Sequence, residues 1–136
     1  MTFDDLVRDT AQLLAGSGGI RARDAIRARL KVAVVDEFQD TDAEQYAIFR
    51  ALFHGRSDGA LFLVGDPKQA IYSFRHADLH TYLRARADAH AAFTLSENQR
   101  STAELLHALN ALFGANPRAF MLDGLHYQPV RCGAKA

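Results

Sequence analysis

The chain has 136 residues, a length typical of one ordinary domain, and its 49% hydrophobic content is enough for a core. Its 16 basic and 16 acidic residues cancel, so net charge favours neither a nucleic-acid partner nor a membrane, and no apolar run approaches the roughly 18 residues of a membrane span. With one cysteine, Cys132, and no secretory signal pattern at the N-terminus, we expect a single globular unit in a reducing cytoplasm, without membrane contact.

Two helices are predicted before the first strand. Apolar residues recur at helical spacing after Thr2, a possible cap, and the glycine-rich stretch 16–19 then breaks the pattern, which predicts a helix over residues 3–15. The Arg-rich stretch from Ile20 to Leu30 has few large apolar residues. It is expected to be helical with a solvated face.

Short apolar runs predict the strands. Residues 32–35 (VAVV) and 61–64 (LFLV) lack polar alternation, as expected of parallel strands covered on both faces, and residues 93–95 (FTL) predict a third strand. Between and after these runs, helical spacing predicts three more helices, the last from a Ser101 and Glu104 capping box to Gly114. Only about the last dozen residues look irregular.

Strand and helix alternate from Val32 onward, which predicts an α/β fold with a parallel sheet flanked by helices. In such sheets, ligands bind beyond the carboxyl ends of the strands. The loops after Val35 and Val64 fall at those ends and are the candidate site.

Asp36 and Glu37 directly follow the first strand. The first acid can hold Mg²⁺ through its water shell while the second polarises an attacking water, which suits a nucleotide hydrolase. Two alternatives remain open on this pattern alone. The acids can merely cap the next helix, as Asp40, Thr41 or Asp42 could also do, or they can serve an unrelated Mg²⁺-dependent phosphohydrolase.

Three longer strings carry a resemblance. Residues 34–42 read VVDEFQDTD, residues 63–75 read LVGDPKQAIYSFR, and residues 95–101 read LSENQRS. In this order and at these separations they resemble helicase motifs II, III and IV of the UvrD/Rep/RecB family of superfamily 1 DNA helicases. TFDDL at residues 2–6 is also similar to a segment which that family carries ahead of motif II. The resemblance covers nearly the whole chain.

Within that family, Phe38, the pair Pro67 and Lys68, and AFM at residues 119–121 are most similar to the RecB group, the beta subunits of exodeoxyribonuclease V. The resemblance implies a partial P-loop NTPase (RecA-like) motor fold. Residues 1–95 would be the C-terminal part of the first motor domain, and residues 96–136 would carry motif IV and the start of the second.

The function implied by the resemblance is that of an internal fragment of an ATP-dependent 3′-to-5′ DNA helicase subunit in double-strand-break repair and recombination. ATP and Mg²⁺ would be its cofactors. Single-stranded and duplex DNA, and other subunits of a RecBCD-type complex, would be its partners.

By resemblance, four residues would handle Mg-ATP. Asp36 would coordinate Mg²⁺, and Glu37 would be the general base that activates water for attack on the γ-phosphate. Gln69 matches the motif III glutamine that senses the γ-phosphate, through an amide that donates and accepts hydrogen bonds. Arg100 matches the motif IV arginine, whose charged fork can stabilise phosphate oxygens in the transition state. For a lone arginine, a surface ion pair is the alternative.

Three residues after Gln69 would connect the nucleotide to DNA. Tyr72 and Phe74 match family positions that line the path of the strand, and Arg75 matches an arginine that links motif III to the nucleotide. Aromatic rings beside a cation suit single-stranded DNA, because bases stack on the rings while phosphates seek the charge. The alternative is that both rings are ordinary core residues. In the first interpretation, this segment couples loss of γ-phosphate contacts to movement along the strand.

Two features depart from the family pattern. Gln99 stands where the family has an aromatic residue that can stack on adenine, which predicts weaker nucleotide affinity or a weaker preference for adenine. No G-x-x-x-x-G-K-[ST] phosphate loop (Walker A) occurs in the sequence, since the glycines of residues 16–19 run into Ile20 without the lysine. The full-length protein is therefore expected to be an ATP-hydrolysing helicase and the isolated chain to be inactive. The alternative is a truncated, non-enzymatic remnant that at most binds single-stranded DNA or a partner.

Overall fold

The computed structural model describes residues 2–70, 78–116, 118–120 and 124–134. It divides into two compact units, Met1–Asp88 and Ala89–Ala136, where the length of the chain predicted one. The physical reason is that each unit has its own apolar cluster. Length alone says nothing about how apolar side chains are partitioned.

The predicted helices and the first two strands are confirmed. In the described part of the first unit the elements are α1 (Phe3–Ala15), α2 (Ile20–Arg29), β1 (Val32–Val35), α3 (Ala43–Phe53), β2 (Ala60–Leu63) and α4 (Leu79–Asp88). Short 3-10 turns lie at Ser17–Gly19, Phe38–Asp40 and Pro67–Gln69. The second unit contains β3 (Glu97–Asn98), α5 (Ala103–Gly114) and β4 (Arg131–Cys132). No helix in these described ranges combines the length and apolar character that crossing a bilayer requires.

Local capping sets where two of the helices begin. The Thr2 hydroxyl accepts a hydrogen bond from the Asp5 N–H at 3.2 Å, and the Thr2 N–H donates to the Asp5 carboxylate at 2.8 Å. Asp42 and Gln45 form the same reciprocal pair at the start of α3. These capping boxes satisfy backbone donors that a helix leaves unpaired in its first turn.

β1 and β2 pair in parallel, with Val32 opposite Ala60 and Val35 opposite Leu63. One face of this sheet packs against the helices through Ala33, Val35, Leu61 and Leu63. The other face is exposed, since Val34 and Phe62 keep 64% and 55% of their surface accessible. The prediction that both faces are covered is therefore wrong for this chain, because the described helices pack on one side of the strands only.

Two buried clusters hold the first unit together. Leu14 of α1 packs with Leu52 and Phe53 of α3 under the middle of the sheet. Phe38, Tyr46 and Ala85 form the second cluster, beside the carboxyl ends of the strands. The rings of Phe38 and Tyr46 meet edge to face, with centroids 5.6 Å apart. The second cluster therefore anchors the loop that follows β1.

The second unit corrects two predictions. Residues 93–95 form no strand, and Phe93 and Leu95 are 93% and 88% exposed. The strand lies instead at Glu97–Asn98 and pairs in parallel with Arg131–Cys132, in a stretch that looked irregular. An apolar run shows strand propensity, but a strand needs a partner, and here the partner aligns with the polar residues that follow.

The residue that caps α5 is Thr102, one residue later than the predicted Ser101. The Thr102 hydroxyl accepts from the Leu105 N–H, whereas the Ser101 N–H donates to the Asn98 side chain at 2.8 Å. Ser101 is thereby drawn into the turn after β3. Beyond α5, the rings of Phe113, Phe120 and Tyr127 stack on one another and give this unit its own apolar cluster.

Candidate functional site

The loop after β1 presents both predicted carboxylates to solvent. Asp36 and Glu37 are exposed, whereas the next two residues, Phe38 and Gln39, are only 2% and 3% exposed. Glu37 has φ of 50°, in the left-handed region that non-glycine residues seldom adopt. Such strained backbone persists where the surrounding structure enforces it, and it is common at functional sites.

Neither carboxylate caps α3, because Asp42 does so. Asp36 Oδ1 accepts a hydrogen bond from the Glu37 N–H at 2.9 Å, and Glu37 Oε2 accepts from Gln39 Nε2 at 2.7 Å. The alternative that these acids serve only to start the next helix therefore has no support in the structure.

Backbone hydrogen bonds join the loops that follow β1 and β2. The Val64 N–H donates to the Val35 carbonyl at 2.8 Å, and the Phe38 N–H donates to the Val64 carbonyl at 2.9 Å. The parallel register brings the carboxyl ends of both strands to the same edge. The two loops therefore lie side by side.

Gln39 adds a side-chain bridge between the same loops. Its Nε2 donates to Glu37, and its Oε1 accepts from the Asp66 N–H at 3.0 Å. Gly65 lies so close that a Cβ at this position would be 2.6 Å from Gln39 Oε1. A side chain at position 65 would therefore disturb the bridge.

Asp66 continues the network toward Gln69. Its carboxylate accepts from the Lys68 backbone N–H at 3.0 Å, from Lys68 Nζ at 2.6 Å and from Gln69 Nε2 at 3.2 Å. Burial raises the pKa of Asp66, but the hydrogen bonds from Lys68 and Gln69 outweigh it and hold the pKa below its usual value. Hydrogen bonds thus join Glu37 to Gln39 and Gln39 to the backbone of Asp66, and the side chain of Asp66 in turn bonds Gln69.

Proteins bind Mg²⁺ either in a cage of protein ligands or through one or two carboxylates together with water and phosphates, and the carboxylates of this loop fit the second arrangement. Within the described ranges, no group of three or more His, Cys, Asp or Glu side chains could hold a metal ion in a protein cage. Mg²⁺ usually keeps several waters and takes one or two carboxylates together with substrate phosphates. The exposed carboxylate of Asp36, with that of Glu37 beside it, suits this second mode.

The structure does not test four of the predicted residues. Arg100 belongs to the second unit, where it is exposed and its backbone N–H donates to Asn98 Oδ1 at 2.8 Å. Tyr72, Phe74 and Arg75 lie outside the described residues. The roles of these four residues stay predictions.

Gln39 and Asp66 are the members of the network to which the sequence analysis gave no role. Both stand inside the quoted motif strings. An amide two residues after a strand-ending acid could have drawn attention, since it can donate and accept at once. Its bridging position depends on the side-by-side packing of two loops, which only the strand register defines.

Comparison with known proteins agrees with the resemblance. Residues 1–90 match the UvrD/REP helicase N-terminal domain. The chain is 44% identical over 133 residues to the RecBCD enzyme subunit RecB of Escherichia coli (strain K12), covering 98% of this chain and 11% of that protein. It is also 44% identical over 110 residues to RecB of Mycobacterium tuberculosis (strain ATCC 25618 / H37Rv), covering 81% of this chain and 10% of that protein.

A third relative is the RecB subunit of Chlamydia trachomatis serovar D, 43% identical over 140 residues, which cover 99% of this chain and 13% of that protein. The chain thus spans about a tenth of the length of the curated relatives that it matches. Because the helicase domain matches residues 1–90 of 136, the chain belongs to the UvrD/REP helicase family.

Proposed function

We propose that this chain is a segment of an ATP-dependent DNA helicase subunit of the RecB type, which hydrolyses Mg-ATP and moves along DNA in the 3′-to-5′ direction. Such a subunit would act in the cytoplasm, in double-strand-break repair and recombination, with the other subunits of a RecBCD-type complex. The identity of 43% or 44% to RecB subunits over most of this chain supports the proposal.

The observation that carries the proposal is the hydrogen-bonded junction between the loops after β1 and β2. It connects Glu37, the proposed general base, with Gln69, the proposed γ-phosphate sensor. The junction lies at the carboxyl ends of parallel strands, where α/β proteins bind their ligands. The carboxylates of Asp36 and Glu37 are exposed, and the surrounding structure holds the backbone of Glu37 at a positive φ. This arrangement suits a reaction that needs fixed charges beside a phosphate.

Each proposed residue has a separate task. Asp36 would hold Mg²⁺, which supplies charge neutralisation for the phosphate oxygens when it is bound. Glu37 would accept a proton from the attacking water, and Gln69 would hydrogen-bond the γ-phosphate. Arg100 would stabilise negative charge in the transition state, and Arg75 would contact the nucleotide.

The DNA-binding part of the proposal concerns Tyr72 and Phe74, whose rings would stack on bases of a single strand. They follow Gln69 by a few residues, so the same segment would couple nucleotide state to strand movement. In this proposal residues 1–95 end the first RecA-like motor domain and residues 96–136 begin the second. The observed division between Asp88 and Ala89 supports a boundary in that part of the chain.

The proposed base can be tested in a chimaera in which this chain replaces the matching stretch of the E. coli RecB subunit. Because the two are 44% identical over 133 residues, the chimaeric subunit should assemble with its partners. The Glu37→Gln chimaera should lose at least about 100-fold in DNA-stimulated ATP turnover, measured by phosphate release, because it can no longer accept the proton.

The matched control is Glu44→Gln, which changes an exposed acid in the first turn of α3 and should leave turnover unchanged. A chimaera without ATP turnover, or a Glu37→Gln variant as active as its parent, would contradict the proposed function.

A further inference from the structure

We infer that Gln39 is a positioning residue, which holds the carboxylate of Glu37 in place and ties it to the loop that carries Gln69. The inference rests on the proposed function, since it gives Glu37 the role of general base. Gln39 would not touch substrate. It would act through Glu37.

The environment of Gln39 is that of a built-in bridge. The residue is 3% exposed, although Asp36 and Glu37 of the same loop are exposed, and both ends of its amide are used. The 2.7 Å bond to Glu37 is short for a hydrogen bond between side chains, as expected when the acceptor carries a charge. Rotating the amide by half a turn would place its oxygen against the carboxylate, so the two bonds together fix one orientation.

The backbone around the bridge is shaped to admit it. Gly65 has no Cβ, and a Cβ there would lie 2.6 Å from Gln39 Oε1 and 3.0 Å from the Phe38 nitrogen. On the other side, Glu37 adopts its positive φ of 50°. With these two features, the amide lies between the Glu37 carboxylate and the Asp66 N–H and bonds both.

The bond leaves Glu37 able to act. A carboxylate has about four lone-pair sites, and Gln39 takes one of them on Oε2. The donated hydrogen bond therefore restricts rotation of the carboxylate without using up its capacity to accept a proton from water. Positioning of a general base within hydrogen-bond reach of its water is a geometric requirement before it is a chemical one.

Two variants separate the two halves of the bridge. Gln39→Glu keeps an oxygen that can accept from Asp66, but it places a negative charge against Glu37 where a donor stood. Gln39→Leu removes both bonds at similar volume. In the chimaera, both variants should lower kcat for ATP at least about tenfold, with KM for ATP changed by less than about twofold.

The control is Gln12→Glu, which makes the same chemical change at an exposed position on α1 and should leave kcat and KM unchanged. Amide hydrogen exchange of the 136-residue chain provides a readout of the structural half. Protection of the Asp66 N–H should persist in Gln39→Glu and fall in Gln39→Leu.

The inference is overturned if Gln39→Glu keeps the kcat of its parent while Asp66 stays protected, because the bond to Glu37 would then be dispensable. It is also overturned if Gln39→Glu loses protection of the Asp66 N–H. The fall in kcat would then follow from loss of the contact between the loops and not from loss of the bond to Glu37. Failure of the proposed function looks different. In that case Glu37→Gln retains turnover, while exchange at Asp66 still reports whether Gln39 joins the loops.

Discussion

Single backbone positions set the geometry around Glu37. Glu37 turns the chain with a positive φ, and Gly65 lets the neighbouring loop approach within the reach of an amide. Each of the two positions limits which residues fit there, and the reasons differ. A positive φ penalises most L residues through their Cβ, whereas the space beside Gly65 penalises any added carbon.

Gly65→Ala should therefore destabilise the first unit by about 1–3 kcal/mol, because the added methyl would overlap Gln39 Oε1 and crowd two backbone nitrogens. Urea unfolding of the 136-residue chain measures the effect. Gly18→Ala is the matched control, since nothing lies within 4 Å of a Cβ built at that glycine. Equal losses of stability in the two variants would contradict the proposed close approach.

The sequence places the acids of the site but not their support. Asp36 and Glu37 are recognisable because a charged pair directly after an apolar strand is a local pattern. The part played by Gln39 and Asp66 depends on contact between loops that are far apart in the chain. No spacing rule within either loop could have predicted it.

At the level of elements, α1 and α3 pack together beneath β1 and β2. Leu14 is 2% exposed in this contact, next to Leu52 and Phe53. Its neighbour Leu13, on the same helix, is 52% exposed. The two leucines are neighbours in the sequence but differ in burial, which makes them a matched pair.

Leu14→Ala should lower the free energy of unfolding by about 2–5 kcal/mol, because it removes buried apolar surface and leaves a cavity. Leu13→Ala should change it by less than about 0.5 kcal/mol. Chemical denaturation of the two variants, followed by the circular dichroism of the helices, distinguishes them. A larger effect at Leu13 would show that the observed face of α1 is not the one that packs.

The elements that were predicted well are those fixed by local chemistry. α1 begins at a capping box formed by Thr2 and Asp5, and the apolar run of β1 is bounded by charge on both sides. β3 was misplaced because its position depends on pairing with Arg131–Cys132. The open face of the first sheet was missed for a related reason. An apolar strand sequence shows that both faces can be buried, but it does not show which segment of the chain covers each face.

For the whole chain, acidic and basic side chains balance in number. Their positions still affect the stability of the fold, because some of them form ion pairs. Asp58 accepts hydrogen bonds from Arg56 Nε at 3.0 Å and from Lys31 Nζ at 2.7 Å. The Arg56 side chain, 7% exposed, also donates to the carbonyl oxygens of Arg27 and Leu30. Hydrogen bonds from Arg56 and then from Lys31 hold the pKa of Asp58 well below its usual value of 3.8.

Acid should therefore weaken the fold over a defined range. A carboxyl whose pKa is lower in the folded chain than in the unfolded chain stabilises the fold above its unfolded value, near 4, and loses that contribution as the pH falls toward its folded value. The midpoint of thermal unfolding should decline as the pH is lowered from about 5 to about 2. Asp58→Asn should be less stable than its parent at pH 7 and should show a flatter decline, because one of the shifted carboxyls is gone.

Asp9→Asn, which changes an exposed aspartate on α1, is the control that should keep the parental slope. If Asp58→Asn and its parent run parallel from neutral to acidic pH, the contacts with Arg56 and Lys31 contribute nothing to the stability of the folded chain.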